Sequence, residues 1–253
     1  MTLIWGAILL ISAVLVGGGI VVFLQNLNRG KLIKVLLSLS GGFLLAIAFI
    51  HFIPEIYAHG SEGVGYYILL GFLVQLFLEY FSGGIEHGHI HAKDTSGTIP
   101  WSLFIALSIH SFFEGMPLAA EFLGEVGENS IAHAGHHHHY EGQGVQGLLL
   151  GIVLHKIPVA IALMTLLLAS GFKIKKAWIV LGIFALMSPL GMLVGHYGAK
   201  NEFFNLEIIL AVVVGMFLHI STTIIFESSE NHKFNFIKLI SLLLGVGLAM
   251  IAI

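Results

Sequence analysis

Long apolar runs, separated by short polar turns, fill the chain from end to end. Eight runs approach the ~20 residues needed to cross a hydrocarbon layer as a helix: 2–24, 32–56, 64–84, 99–123, 143–170, 177–199, 206–226 and 234–253. They predict an all-α polytopic membrane protein with eight transmembrane helices, the whole of 1–253 forming a single transmembrane domain. No basic segment precedes the first run, and no small-residue cleavage site with a polar sequel follows it. It is therefore expected to be a retained helix and not a signal peptide.

Composition agrees with the pattern. The 253 residues are 57% hydrophobic and only 10% charged, where a soluble domain carries about a quarter charged residues. The lipid bilayer is thus the first partner, and a net charge of -3 gives no nucleic-acid signature. Basic residues in short loops orient such a chain, because they stay on the cytoplasmic side. One set of alternating loops holds Arg29, Lys31, Lys34, Lys93, Lys173, Lys175, Lys176, Lys233 and Lys238; the opposite set holds Lys200. Both termini are expected outside a cell (plasma or inner) membrane. With no cysteine, a bound metal would rely on imidazole, carboxylate, carbonyl or water. Histidine, at 15 residues, outnumbers the 11 lysines and arginines.

The polar residues inside the runs carry the candidate chemistry. His110 and Glu114 stand four apart, hence on one face of a helix, and His155 lies within the next run. Ionisable groups at that depth are costly and mark functional sites. We read His110, Glu114 and His155 as ligands of a divalent metal ion; three such ligands suit zinc, and also iron(II) or manganese, with a position left for water. Glu121 follows on the face of Glu114, the pair His51 and Glu55 repeats the four-residue spacing near the outer end of the second run, and Glu227 ends the seventh. These residues mark a candidate pathway, with His87, His89 and His91 at its cytoplasmic mouth. The outer loop bearing His133, His136, His137, His138 and His139 reads as a polar linker or as a metal-collecting segment. His196 and His219 read as packing residues, and Glu79 as a side chain extending to the interface. The glycines, among them Gly17, Gly42 and Gly191, read as helix-packing positions. Pro54, Pro117, Pro158 and Pro189 interrupt four of the runs and favour a solute path over an inert bundle.

His110-Ser111-Phe112-Phe113-Glu114-Gly115, followed by His155-Lys156-Ile157-Pro158, resembles the signature of the ZIP (Zrt/Irt-like) metal transporters. His51-Phe52-Ile53-Pro54-Glu55 resembles a segment of that family's second helix. The resemblance implies a 3+2+3 inverted-repeat bundle. In it helices one, four, five and six slide as a unit, elevator fashion, against two, three, seven and eight. It also implies zinc uptake into the cytoplasm (or iron(II), manganese or cadmium), the metal being substrate and not cofactor, and pairing as a homodimer. His110, Glu114 and His155 match the primary metal site, and Ser111 takes a place often filled by Asn. Members with a binuclear centre carry acids where this chain has Lys156 and Val159. Lys156 is therefore expected to replace the second ion with a built-in cation. The rival readings are an intramembrane zinc-dependent hydrolase, which would be an enzyme, and a metal sensor that binds without flux.

Overall fold

The computed structural model describes residues 3–24, 28–59, 63–82, 101–119, 142–201, 203, 205–226 and 236–252. Nearly all are helical, and no strand occurs among them. In chain order the helices are α1 (Leu3–Phe23), α2, α3 (Val64–Ser82), α4, α5 (Gly142–Ala169), α6, α7 (Leu206–Phe226) and α8 (Phe236–Ala252). Three of them are composite. α2 runs as Arg29–Ile47, a π turn over Ala48–Phe52, and Ile53–His59. α4 runs as Trp101–Gly115 and tightens into a 3-10 turn over Met116–Ala119. α6 joins Ile174–Ala185 to Met187–Lys200 at Leu186. Seven spans are long and apolar enough to cross a membrane; α8 is apolar but has 17 described residues, the low end of the usual range. Its neighbours at 234, 235 and 253 lie outside the described residues. Large apolar side chains such as Leu69, Leu73, Leu76 and Phe77 line the outside of α3, as lipid requires. The chain is an integral membrane protein of the all-α polytopic class.

Three of the four prolines within the spans coincide with departures from α geometry. Pro54 follows the π turn, Pro117 lies in the 3-10 turn, and Pro189 stands three residues after the junction at Leu186. A prolyl ring removes one N–H and crowds the carbonyl four residues back, so the helix must yield nearby. Pro158 differs from expectation, since α5 runs through it unbroken. The following residues, Val159 to Met164, are all at most 4% exposed, and packing on every side keeps the helix in place.

Glycines then decide which helices lie closest. A Cβ at Gly115 would collide with the Ser188 carbonyl, and one at Gly191 with the Phe112 carbonyl, which locks α4 to α6. One at Gly17 would come 2.6 Å from the Ile157 carbonyl, joining α1 to α5. Gly42 and Gly245 seat α2 and α8 on each other's backbones at Leu242 and Leu39; Gly71 and Gly215 do the same for α3 and α7 at Val212 and Ile68. Small residues allow this approach where lipid supplies no hydrophobic drive between helices. Grouped into two halves, α1, α4, α5 and α6 against α2, α3, α7 and α8, the helices keep their four closest pairs within a half: α1–α5, α4–α6, α2–α8 and α3–α7. The seam between the halves runs along α2–α5, α3–α4 and α4–α7. Contact there is through side chains, as where Gly151 of α5 faces Phe43 and Leu44 of α2.

The apolar core is divided in two. One cluster holds Leu10, Phe43, Ile47, Leu118, Leu148, Ile152 and Phe217. The other holds Val14, Leu37, Leu103, Leu107, Val159, Leu163 and Ile224. Along α2, α4 and α5 the same order holds: members of one cluster, then buried polar residues, then members of the other. Ser40, His110, Ser111, Glu114, His155 and Lys156 form that polar layer.

Candidate metal centre

His110 is the midpoint of a 19-residue span, and His155 lies halfway along the 28 residues of α5. α4 and α5 therefore bring their polar residues to one depth. One ligand atom from each of His110, Glu114 and His155 lies within 4.8 Å of the others, and all three residues are buried. This is a group of His and Glu side chains close enough to share one ion among the described residues. The imidazole rings of His110 and His155 meet edge to face with centroids 6.0 Å apart. His110 Nε2 is 2.9 Å from Glu114 Oε1, yet the two are out of hydrogen-bond alignment. Two imidazoles and one carboxylate make an N/O donor set of the kind zinc accepts.

The two oxygens of Glu114 have separate duties. Oε1 faces the imidazoles, whereas Oε2 accepts from Lys156 Nζ at 2.5 Å. Lys156 Nζ also donates to Ser111 Oγ at 2.6 Å and lies 5.2 Å from the centre of the Phe184 ring. Ser188 Oγ donates to the Ser111 carbonyl at 2.8 Å and stands 3.0 Å from Ser111 Oγ. With its own proton given to that carbonyl, Ser188 accepts from Ser111, which in turn accepts from Lys156. The charged pair is thus wired into α6. With neutral imidazoles, Glu114 and Lys156 cancel, so a divalent ion would find a cluster of zero formal charge.

Two groups outside the sequence-based set reach the imidazoles. Gln75 Oε1 of α3 lies 2.9 Å from His110 Nδ1, and Ser40 Oγ of α2 lies 3.4 Å from His155 Nδ1. Both are fully buried. The signal for Gln75 was in plain view, as a primary amide in the middle of an apolar run. Ser40 gave none, because serine is common in spanning helices.

The other expected positions lie apart from this cluster or beyond view. His51 Nε2 and Glu55 Oε2 pair at 3.4 Å on α2, each about a fifth exposed. Glu79 does not extend to the interface as expected; its Oε2 meets His219 Nε2 of α7, where the edge of the Phe72 ring also packs. A buried imidazole partner outweighs the reach to water here. Glu121, Glu227, His87, His89, His91, His133, His136, His137, His138 and His139 lie outside the described residues.

Fold and site together define a polytopic helical membrane protein with a buried N/O cluster at mid-depth. The ZIP zinc transporter family model matches residues 83–253, and the chain belongs to that family. Protein zntD of Dictyostelium discoideum is 28% identical over 188 residues, covering 68% of this chain and 25% of that protein. The chain thus spans about a quarter of the length of this curated relative. The family is one of transporters and not of enzymes, which sets the hydrolase reading aside.

Proposed function

We propose that this chain, acting as a single transmembrane domain, carries divalent metal ions into the cytoplasm, with zinc the principal substrate. The observation that carries the reading is the His110–Glu114–His155 cluster, buried at mid-depth between two apolar layers. Its three ligands suit the ion, and its zero formal charge keeps binding weak enough for release. With apolar side chains on both sides, the ion needs a change of structure to enter or leave. The halves described above support sliding of α1, α4, α5 and α6 against the other four helices, because backbone contacts at glycines lie within each half and not across the seam. The basic-residue asymmetry supports extracytoplasmic termini in a cell membrane. Lys156 acts as the built-in cation beside one ion; His51 and Glu55 line the outer approach, and Glu121 serves the same pathway. The His133 and His136–His139 segment collects metal outside; His87, His89, His91 and Glu227 receive it inside. The protein works as a homodimer.

Purified protein in proteoliposomes should take up radioactive zinc, with iron(II), manganese and cadmium tested as competitors. Glu114→Ala should abolish most uptake at unchanged yield, whereas His196→Ala should retain it. Near-normal zinc flux in Glu114→Ala would overturn the site, and binding without flux in the unmodified protein would favour the sensor.

A further inference from the structure

The two ligand imidazoles belong to one half of the molecule, and the groups that meet their second nitrogens belong to the other. Resting on the metal-site reading above, we infer that Gln75 and Ser40 are positioning residues which orient the metal ligands from across the seam and tie ion affinity to the alignment of the halves.

The donor and acceptor roles follow from simple counting. Gln75 Oε1 is a carbonyl oxygen and only accepts, so His110 Nδ1 at 2.9 Å carries the proton. That leaves the lone pair on Nε2, the nitrogen facing Glu114. Ser40 has one hydroxyl proton, and its Oγ donates that proton to the Leu37 carbonyl at 3.1 Å. Towards His155 Nδ1, 3.4 Å away, the same oxygen accepts, so His155 too carries its proton on Nδ1 and presents Nε2. Both imidazoles are thereby fixed in the tautomer a metal requires, with their ring planes held. Packing alone would not do this, since a ring flipped about its last torsion fills almost the same space.

The placement matters because neither partner travels with the ligands. Gln75 sits on α3, which the Gly71 and Gly215 contacts seat on α7, and Ser40 on α2, which Gly42 and Gly245 seat on α8. His110 is held with α6 through Gly115 and Gly191, and His155 with α1 through Gly17. A slide along the seam parts both hydrogen bonds at once and loosens their hold on the two imidazoles. The ion is therefore bound tightest in the alignment seen here and loosened by the movement that opens the site. By reciprocity, a bound ion favours this alignment by the same factor.

The test is equilibrium binding of cobalt(II), read by its visible absorption, to the full-length protein in lipid nanodiscs, with zinc competition. Binding is counted as the difference from His110→Ala protein, which removes any contribution from loop histidines. Loss of such outer-shell partners typically weakens metal affinity about 10–100-fold. Gln75→Leu should show that loss, Ser40→Ala a smaller one given its longer contact, and Gln75→Glu, which restores an acceptor oxygen, a Kd within a few-fold of the unmodified protein. Should Gln75→Leu fail to fold, Ser40→Ala, which deletes a single oxygen, carries the test. Unchanged affinity in the variants that fold, or equal damage from Gln75→Leu and Gln75→Glu, overturns the inference. If His110→Ala itself binds cobalt as well as the unmodified protein, the metal-site reading fails first and the inference with it.

Discussion

Replacing Lys156 with methionine keeps an unbranched side chain one atom shorter and removes the charge. In the structure its ammonium stands 2.5 Å from Glu114 Oε2, and the two side chains are 3% and 0% exposed. At an effective dielectric of about 20 the bare attraction at that separation is roughly 6–7 kcal/mol, much of it offset by the cost of keeping both charges from water. Breaking a buried pair from one side strands the other charge, which costs about 3–5 kcal/mol. For a domain of 150–250 residues that corresponds to a fall in melting temperature of roughly 6–20 °C. The assay is thermal unfolding of purified Lys156→Met and unmodified protein, each stripped of metal and each in excess zinc. Stripped, the variant should melt well below the unmodified protein. Zinc should then raise the variant more, because the ion supplies the missing cation and no longer meets an ammonium at the same carboxylate. Free ligand at 100 times Kd stabilises by about 2.7 kcal/mol, enough to recover much of the loss. If the stripped variant melts within ~2 °C of the unmodified protein, the ion pair does not support the fold. If zinc lifts both proteins equally, Lys156 and the metal do not compete for Glu114.

Four further outcomes are expected. Changing His136, His137, His138 and His139 to Ser should raise the zinc concentration for half-maximal uptake and leave the maximal rate nearly intact; complete loss of transport would refute a collecting role. Lys156→Asp combined with Val159→Glu should raise the intramembrane stoichiometry from one ion per protomer to two, measured by metal analysis after the loop histidines are removed; two ions in the unmodified helices would contradict the built-in cation. Gly191→Leu should force α4 from α6, since even a Cβ meets the Phe112 carbonyl, and lower the melting temperature by the equivalent of about 1–3 kcal/mol or more. Gly182→Ala, where nothing lies within 4 Å, should be neutral or slightly stabilising.

The spans were legible because each is a long apolar run, and lipid leaves a chain little freedom over what such a run becomes. The His110 and Glu114 pair was legible for the same reason as any helical pair: a spacing of four fixes a common face. Contacts between helices were harder. Nothing in a run of leucines around Gln75 says that its amide meets His110 rather than another helix. Glu79 misled because a long side chain near a helix end has two outlets, water or a neighbour, and only the packing of α3 on α7 selects His219. Pro158 misled in the opposite sense, since the strength of the surrounding packing is not written beside the proline.

The π turn at Ala48–Phe52 has a consequence for the permissible length of α2. A π turn holds about one residue more than the α-turn it replaces, so the outer segment is phased differently from an unbroken helix begun at Arg29. Delete one residue there and the wide turn can close to an α-turn, leaving everything beyond in its present phase. Delete one elsewhere between Ser40 and Ile56 and everything beyond rotates by about 100° and draws in by about 1.5 Å. Ile56, now 3% exposed in the apolar core, would then take the place that Glu55 occupies. The stretch Ala48–Phe52 is thus where α2 can lose a residue and still serve both Ser40 in the polar layer and Ile56 beyond it.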